Sequence, residues 1–241
     1  TNIEPPKDIE MLDDPIFWLL TAPGLLLGFY AQSLIKSNYL HYSQVATLRG
    51  VSGAVAARRL LDSQGLQNVV IETTPGLLSD HYDPRTKSLR LSPEVYHTPS
   101  LAAVGIAAHE TGHALQDAQD YFPMQVRSFI VPAVQLGTKL APVLFFGGYI
   151  LNMPQVAWAG VLLFGTNTLF TLVTLPVELD ASKRARELLV SQHIVEGGEQ
   201  ITGIKKVLTA AAWTYVASAV SAVGTLLYFA VILFSRFRQH H

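Results

Sequence analysis

Residues 156–177 read VAWAGVLLFGTNTLFTLVTLPV, without a charged side chain, and the five that follow, Glu178-Leu179-Asp180-Ala181-Ser182, bring in two carboxylates at once. At about 1.5 Å per residue the first stretch is long enough, as a helix, to cross a hydrocarbon core of about 30 Å. Two more runs, Ile16 to Ile35 and Ala210 to Phe234, are equally free of charge. A large soluble protein can bury one such helix, but three in a 241-residue chain leave too little sequence to cover them. Composition agrees, with 49% hydrophobic and 15% charged residues, against about 25% charged in a soluble domain. The chain therefore reads as an integral membrane protein, mainly α-helical. Its lack of cysteine excludes disulfides and thiolate metal ligands.

The partner for Glu178 lies upstream. His109-Glu110-Thr111-Gly112-His113 is an H-E-x-x-H pattern inside the apolar-periodic run Ser100 to Gln119. On a helix two histidines four residues apart lie about 40° apart on one face, one turn separated. Both imidazoles can then bind one Zn²⁺, with Glu110 in reach of a water whose pKa the metal lowers to about 7. A second helix, about 176–192, donating Glu178 would complete a His₂Glu set with one coordination position open. Such patterns also arise by chance on amphipathic helices. Glu178 and Asp180 would equally suit a plain helix N-terminus, where negative charge is favoured without any metal.

Parity then bears on a fourth apolar run, Phe129 to Leu151, which contains Pro132, Gln135, Lys139 and Pro142. If His109 and Glu178 face one ion, the chain between them crosses the membrane an even number of times. The span 156–177 needs a partner, and 129–151 is the candidate, joined to it through the turn Asn152-Met153-Pro154-Gln155. Lysine at mid-span is costly and turns toward protein, water or the interface. Lys139 accordingly reads as a lining or snorkelling residue, not a catalytic one.

Basic residues near span ends set the expected orientation. Glu4, Asp8, Glu10, Asp13 and Asp14 precede the first span against Lys7 alone, and Lys36, Arg49, Arg58 and Arg59 follow it. Lys183, Arg184, Arg186, Lys205 and Lys206 lie between the third and fourth. Both site segments are thus expected on the cytoplasmic side of a multi-pass cell-membrane protein, with Arg236 and Arg238 as dissenting charges. The first span is too long for a signal-peptide core and no A-x-A site follows it, so it reads as an uncleaved anchor.

The segment from about 37 to 127 reads as a small α/β soluble unit inserted between the first and second spans. Ser52 caps a helix Gly53 to Gln64, Asn68 to Glu72 has strand composition, and Leu77 to Tyr82 and Ser88 to Leu91 flank the turn Asp83-Pro84-Arg85-Thr86. Ser92-Pro93-Glu94 opens a short helix, and the motif helix Leu101 to Gln119 follows, too rich in polar residues to be a span. No repeat or flexible linker divides the chain, so residues 1–241 read as one membrane-embedded domain.

Three stretches, Leu78-Ser79-Asp80-His81-Tyr82-Asp83-Pro84, Ala107-Ala108-His109-Glu110-Thr111-Gly112-His113-Ala114 and Thr174-Leu175-Pro176-Val177-Glu178-Leu179-Asp180-Ala181-Ser182, resemble the YugP-type neutral zinc metallopeptidases of prokaryotic membranes. The likeness continues through Lys206-Val207-Leu208 and Thr214-Tyr215-Val216-Ala217. It implies one zinc ion on His109 and His113, with Glu110 as base. A more distant similarity to the HtpX and CAAX prenyl protease group implies Glu178 as third ligand. That group usually carries Asp four residues past the Glu; here Ser182 stands there and Asp180 lies two residues on, which suggests Asp180 as partner of a ligand histidine. In related zinc peptidases a strand before the motif helix borders the cleft and pairs with extended substrate. His81 or Tyr82 could then donate to the oxyanion, while His81 and Asp83 could equally serve only the hairpin turn.

Together these observations predict a zinc-dependent membrane endopeptidase with protein or peptide substrates, themselves membrane-associated, and no nucleic-acid partner. A catalytically silent zinc-binding scaffold or adaptor is the alternative, although such a protein would be expected to lose Glu110. A transporter-like bundle would want polar residues along several spans, and only Gln135 and Lys139 stand out. Arg184, a turn and a half past Glu178, reads as an ion-pair partner of Asp180 more than as a substrate clamp. His41, His97 and His193 read as solvated or interfacial, and His240 and His241 carry no assigned role.

Overall fold

Long charge-free runs become long helices. A computed structural model of the chain describes residues 13–238; Glu4, Lys7, Asp8, Glu10, His240 and His241 lie outside them. The order is α1 (Pro15–Tyr42), α2 (Gly53–Ser63), β1 (Val70–Thr73), β2 (His81–Asp83), β3 (Ser88–Leu91), α3 (Pro93–His97), α4 (Leu101–Ala118), α5 (Phe122–Ile150), α6 (Pro154–Ser191) and α7 (Gly197–Arg238). Four helices, α1, α5, α6 and α7, are long and apolar enough to cross a membrane.

Three expectations need correction. The separate helix expected over 176–192 does not exist: α6 is one helix of 38 residues running through Pro176. Proline removes one N–H from the ladder, but Val177 and Ala181 just beyond it are fully buried, and packing holds the helix where propensity alone would break it. Glu178 is therefore an interior residue, and the helix-terminus account of its charge falls. The strand expected over 77–82 shrinks to His81–Asp83. Gly76 (φ 105°) and Leu78 (φ 53°) both lie in the left-handed region, so the chain turns there instead of extending. The last long helix starts at Gly197 (φ 81°), well before 210, so Lys205 and Lys206 ride on it.

The described chain packs as two compact units. One comprises residues 13–29, 126–174 and 215–238. Here α5 and α6 form a hairpin across residues 151–153, with helix backbones in contact at glycines. A methyl group on Gly160 would lie 2.5 Å from the backbone nitrogen of Phe145, and one on Gly148 would lie 2.3 Å from that of Ala157. Such small residues let membrane helices approach closely. Around them Phe145, Phe164 and Phe229 interlock, with Phe145 and Phe229 centroids 4.3 Å apart. The Thr168 hydroxyl donates across the bundle to the Ala222 carbonyl at 3.2 Å.

The other unit comprises residues 30–125 and 175–214. Its centre is α4, which is buried along nearly its whole length and so lacks the one-sided pattern of a surface helix. Ser100 caps it, accepting from the Ala103 N–H at 3.2 Å. On one side Leu101, Val104, Ala108 and Leu115 pack with Leu60, Leu189, Ile194 and Ile204. On the other, Ala103, Ala107 and Ala114 pack with Leu61, Tyr82, Leu89, Leu91 and Val177. Burying each of these leucines contributes about 1.5–3 kcal/mol. The sheet order is β1-β3-β2. β1 runs parallel to β3, with Ile71 opposite Leu89, and β2 runs antiparallel to it, with Tyr82 opposite Leu89. β2 is thus an edge strand, and its inward-facing Tyr82 packs it against α4.

Candidate metal centre

Two helices of the second unit meet at Gly112. A methyl group there would lie 2.5 Å from the Ala181 carbonyl oxygen and 3.0 Å from the Ala181 Cα, so only glycine allows α4 and this part of α6 to come so close. Thr111, beside it, is fully buried and returns its hydroxyl to the Ala107 carbonyl at 2.9 Å. The close approach brings three side chains to one point. Glu178 Oε2 lies 3.1 Å from His109 Nε2 and 3.4 Å from His113 Nε2, and the three donor atoms all fall within 4.8 Å of one another. Among the described residues this is the one group of three such side chains so arranged.

The opposite edge of each imidazole is held by a neutral partner. Ser182 Oγ sits 3.0 Å from His109 Nδ1. Gln116 Oε1, an amide oxygen that can only accept, sits 3.0 Å from His113 Nδ1. That bond puts the Nδ1 proton of His113 toward Gln116 and points Nε2 at Glu178. Gln116 is fully buried, and its amide donates to the Val177 carbonyl at 2.8 Å and to Asp180 Oδ2 at 2.9 Å. Asp180 thus reaches His113 only through Gln116, and it also pairs with Arg184. Arg184 in turn donates to Gln119 and lies over the Tyr121 ring.

The residues fit a zinc ion: two imidazole nitrogens turned away from their acceptors and one carboxylate oxygen converge, the donor set of a site with one open position. Glu178 and His113 are buried, while the His109 side chain keeps 13% exposure, which leaves the group accessible on one side. The centre also attracts positive charge. Burial disfavours protonated His113, but the hydrogen bond with Glu178 and the charges of Glu110 and Glu178 outweigh it and raise its pKa above the ordinary imidazole value.

Glu110, buried on α4, accepts the backbone N–H of Tyr82 through Oε2 at 3.0 Å. The Tyr82 phenol donates to Asp117 at 2.7 Å, and Lys87 pairs with the same carboxylate; burial and Asp117 push the phenol pKa well up. His81 is exposed, with Nδ1 2.8 Å from the Ser79 carbonyl. Gln116 went unread in the sequence and Ser182 was noted only as standing where the related group carries Asp, though spacing held a signal for both. Gln116 follows His113 by three residues and Ser182 follows Glu178 by four, each on its neighbour's helix face.

A chain with four membrane-length apolar helices, whose H-E-x-x-H helix meets a glutamate of a second helix in a His-His-Glu group, falls in the class of membrane zinc metallopeptidases. The chain belongs to the family described as "Putative neutral zinc metallopeptidase", whose model matches residues 17–234. It is 43% identical over 217 residues to "Putative membrane protease YugP" of Bacillus subtilis (strain 168), covering 90% of this chain and 96% of that protein. No solved structure matches it.

Proposed function

We propose that the protein is a zinc-dependent membrane endopeptidase whose single ion is held by His109, His113 and Glu178, with Glu110 as general base. The convergence of His109 Nε2, His113 Nε2 and Glu178 Oε2 is the observation that carries this reading. Zinc held there would supply Lewis acidity to a peptide carbonyl and to water. The chain's own residues do the rest. The Tyr82 N–H fixes the rotation of the Glu110 carboxylate through Oε2, and the other oxygen takes a proton from water and passes it to the leaving amine. Ser182 and Gln116 hold the imidazole planes and tautomers. Asp180 supports His113 through the Gln116 amide.

Substrate enters as an extended strand beside β2, whose outer edge is unpaired within the sheet. His81 and Tyr82 stand at that edge as candidate oxyanion donors. For His81 this role requires the imidazolium form, since Nδ1–H donates to the Ser79 carbonyl and Nε2 of the neutral ring can only accept. Tyr82 has its phenol engaged by Asp117 and its N–H by Glu110, so it acts by orienting Glu110 and leaves His81 as the oxyanion donor. We further read residues 37–127 as a soluble unit inserted between the first and second spans. The chain functions as one membrane-embedded peptidase, with its site at the cytoplasmic face, where Lys36, Arg58, Arg59, Lys183 and Arg186 cluster in sequence around the site segments. Membrane proteins or peptides lying at the surface are the substrates this placement favours.

The test is cleavage of an unfolded protein by the solubilised full chain beside Glu110→Gln, with zinc measured on both. Cleavage by the wild type alone with zinc in both supports the reading. Equal cleavage by both would remove Glu110 from the mechanism, and zinc-loaded protein that cleaves nothing would turn the assignment to a scaffold.

A further inference from the structure

Two sets of polar groups in the bundle unit contrast. Thr168 is buried and spends its hydroxyl on Ala222 inside the bundle. Ser128, Gln135 and Lys139 on α5 are all exposed. At about 100° per residue these three lie within roughly 40° of one another, a single outward stripe along the helix. Pro132 and Pro142 flank it, and each lacks the N–H that would bond the carbonyl four residues earlier, those of Ser128 and Thr138. The face therefore carries a hydroxyl, an amide, an ammonium and two carbonyls deprived of their helical donors.

Lipid is a poor occupant for such a face. Lys139 lies eleven residues before the end of α5 at Ile150, roughly 16 Å along the axis. A four-carbon stem cannot carry its charge that far to the interface, and an unpaired lysine amid hydrocarbon is costly. Among the described residues no carboxylate pairs with it. A second copy is a poor occupant too. The apolar runs at 16–35, 129–151, 156–177 and 210–234 contain no Asp or Glu. Two copies meeting on this face would set like charges together.

We propose that the Ser128–Gln135–Lys139 face of α5 docks a membrane-spanning helix of another protein, and that this helix presents a carboxylate at the depth of Lys139. The inference needs α5 to cross the membrane and is independent of the peptidase reading. Charge complementarity selects the partner, the Gln135 amide adds a hydrogen bond one turn away, and the Ser128 and Thr138 carbonyls, which Pro132 and Pro142 deprive of their usual helical donors, add acceptors.

The chain has no cysteine, so Met153→Cys gives one labelling point in the α5–α6 turn for energy transfer. Full-length protein so labelled is reconstituted in phosphatidylcholine vesicles with oligoleucine membrane-spanning peptides bearing Glu, Gln or Leu at mid-span. The Glu peptide is expected to associate about tenfold more tightly than the Leu peptide, and Lys139→Met to abolish that preference with helicity and melting unchanged. Gln135→Leu should remove a smaller part, and moving the Glu two turns along the peptide should abolish the gain. Equal binding of Glu and Gln peptides, persistence of the preference in Lys139→Met, or no association with any peptide would overturn the proposal. Self-association of the wild type that Lys139→Met abolishes would also overturn it, by assigning the face to a second copy.

Discussion

Gly160 and Gly112 each mark a close helix approach, one in each unit, and the same device does different things in each. In the bundle unit, Gly160 lets α6 touch α5 at Phe145, and the product is an aromatic cluster with no carboxylate or imidazole in it. In the other unit, Gly112 lets α4 touch α6 at Ala181, and the product is a His-His-Glu group with Gln116 and Ser182 behind it. Close packing in one place gives an anchor and in the other a chemical site. What differs is only the residues one turn away from the contact.

The largest expected effect lies with the residue that touches reacting groups. Glu110→Gln should lower cleavage about 10²–10⁴-fold while zinc content stays at the wild-type level; loss of zinc in that variant would make Glu110 a structural residue and blur the contrast between the units. Next comes a matched pair of glycine changes. Gly112→Ala and Gly160→Ala each force a methyl group into backbone, at an expected cost of about 1–3 kcal/mol in thermal or denaturant unfolding. Only Gly112→Ala should also release zinc, because it alone separates Glu178 from the histidines. Zinc loss in Gly160→Ala would break the distinction outright.

Smaller effects follow behind the ligands. Gln116→Leu keeps the volume roughly but removes the acceptor at His113 and one donor to Asp180, which keeps Arg184, so zinc affinity should fall about 10–100-fold, read by competition with a chromogenic chelator. Ser182→Ala should sit at the low end of that range, about tenfold, since its hydroxyl is a weaker acceptor and His109 keeps contact with solvent. A Ser182 effect exceeding that of Gln116 would reverse the ranking of the two histidine supports.

The anchors and the H-E-x-x-H motif were legible in sequence because each is local. Charge-free length announces a span, and a four-residue histidine spacing announces one helix face. β3 was legible too, over Ser88–Leu91 as expected. What escaped was set by contacts between distant segments. Pro176 and the sudden charges at Glu178 and Asp180 look like a boundary, yet burial of Val177 and Ala181 carries α6 straight through. Leu77 to Asp80 has strand composition, but the positive φ angles at Gly76 and Leu78 are a backbone fact that side-chain pattern does not record. Asp180 was read as a direct partner of a histidine; the structure inserts Gln116 between them, which depends on how α4 and α6 meet.

The two unspecified positions of the motif are not interchangeable blanks here. Thr111 is sealed in the core and Gly112 is pressed against Ala181, so in this architecture the pattern is H-E-x-G-H with a small, self-satisfied x. Anyone grafting the motif onto another scaffold would have to copy the gap as well as the ligands. Two histidines and a glutamate transplanted onto a helix whose neighbour stands one methyl group further off would keep the signature and lose the third donor.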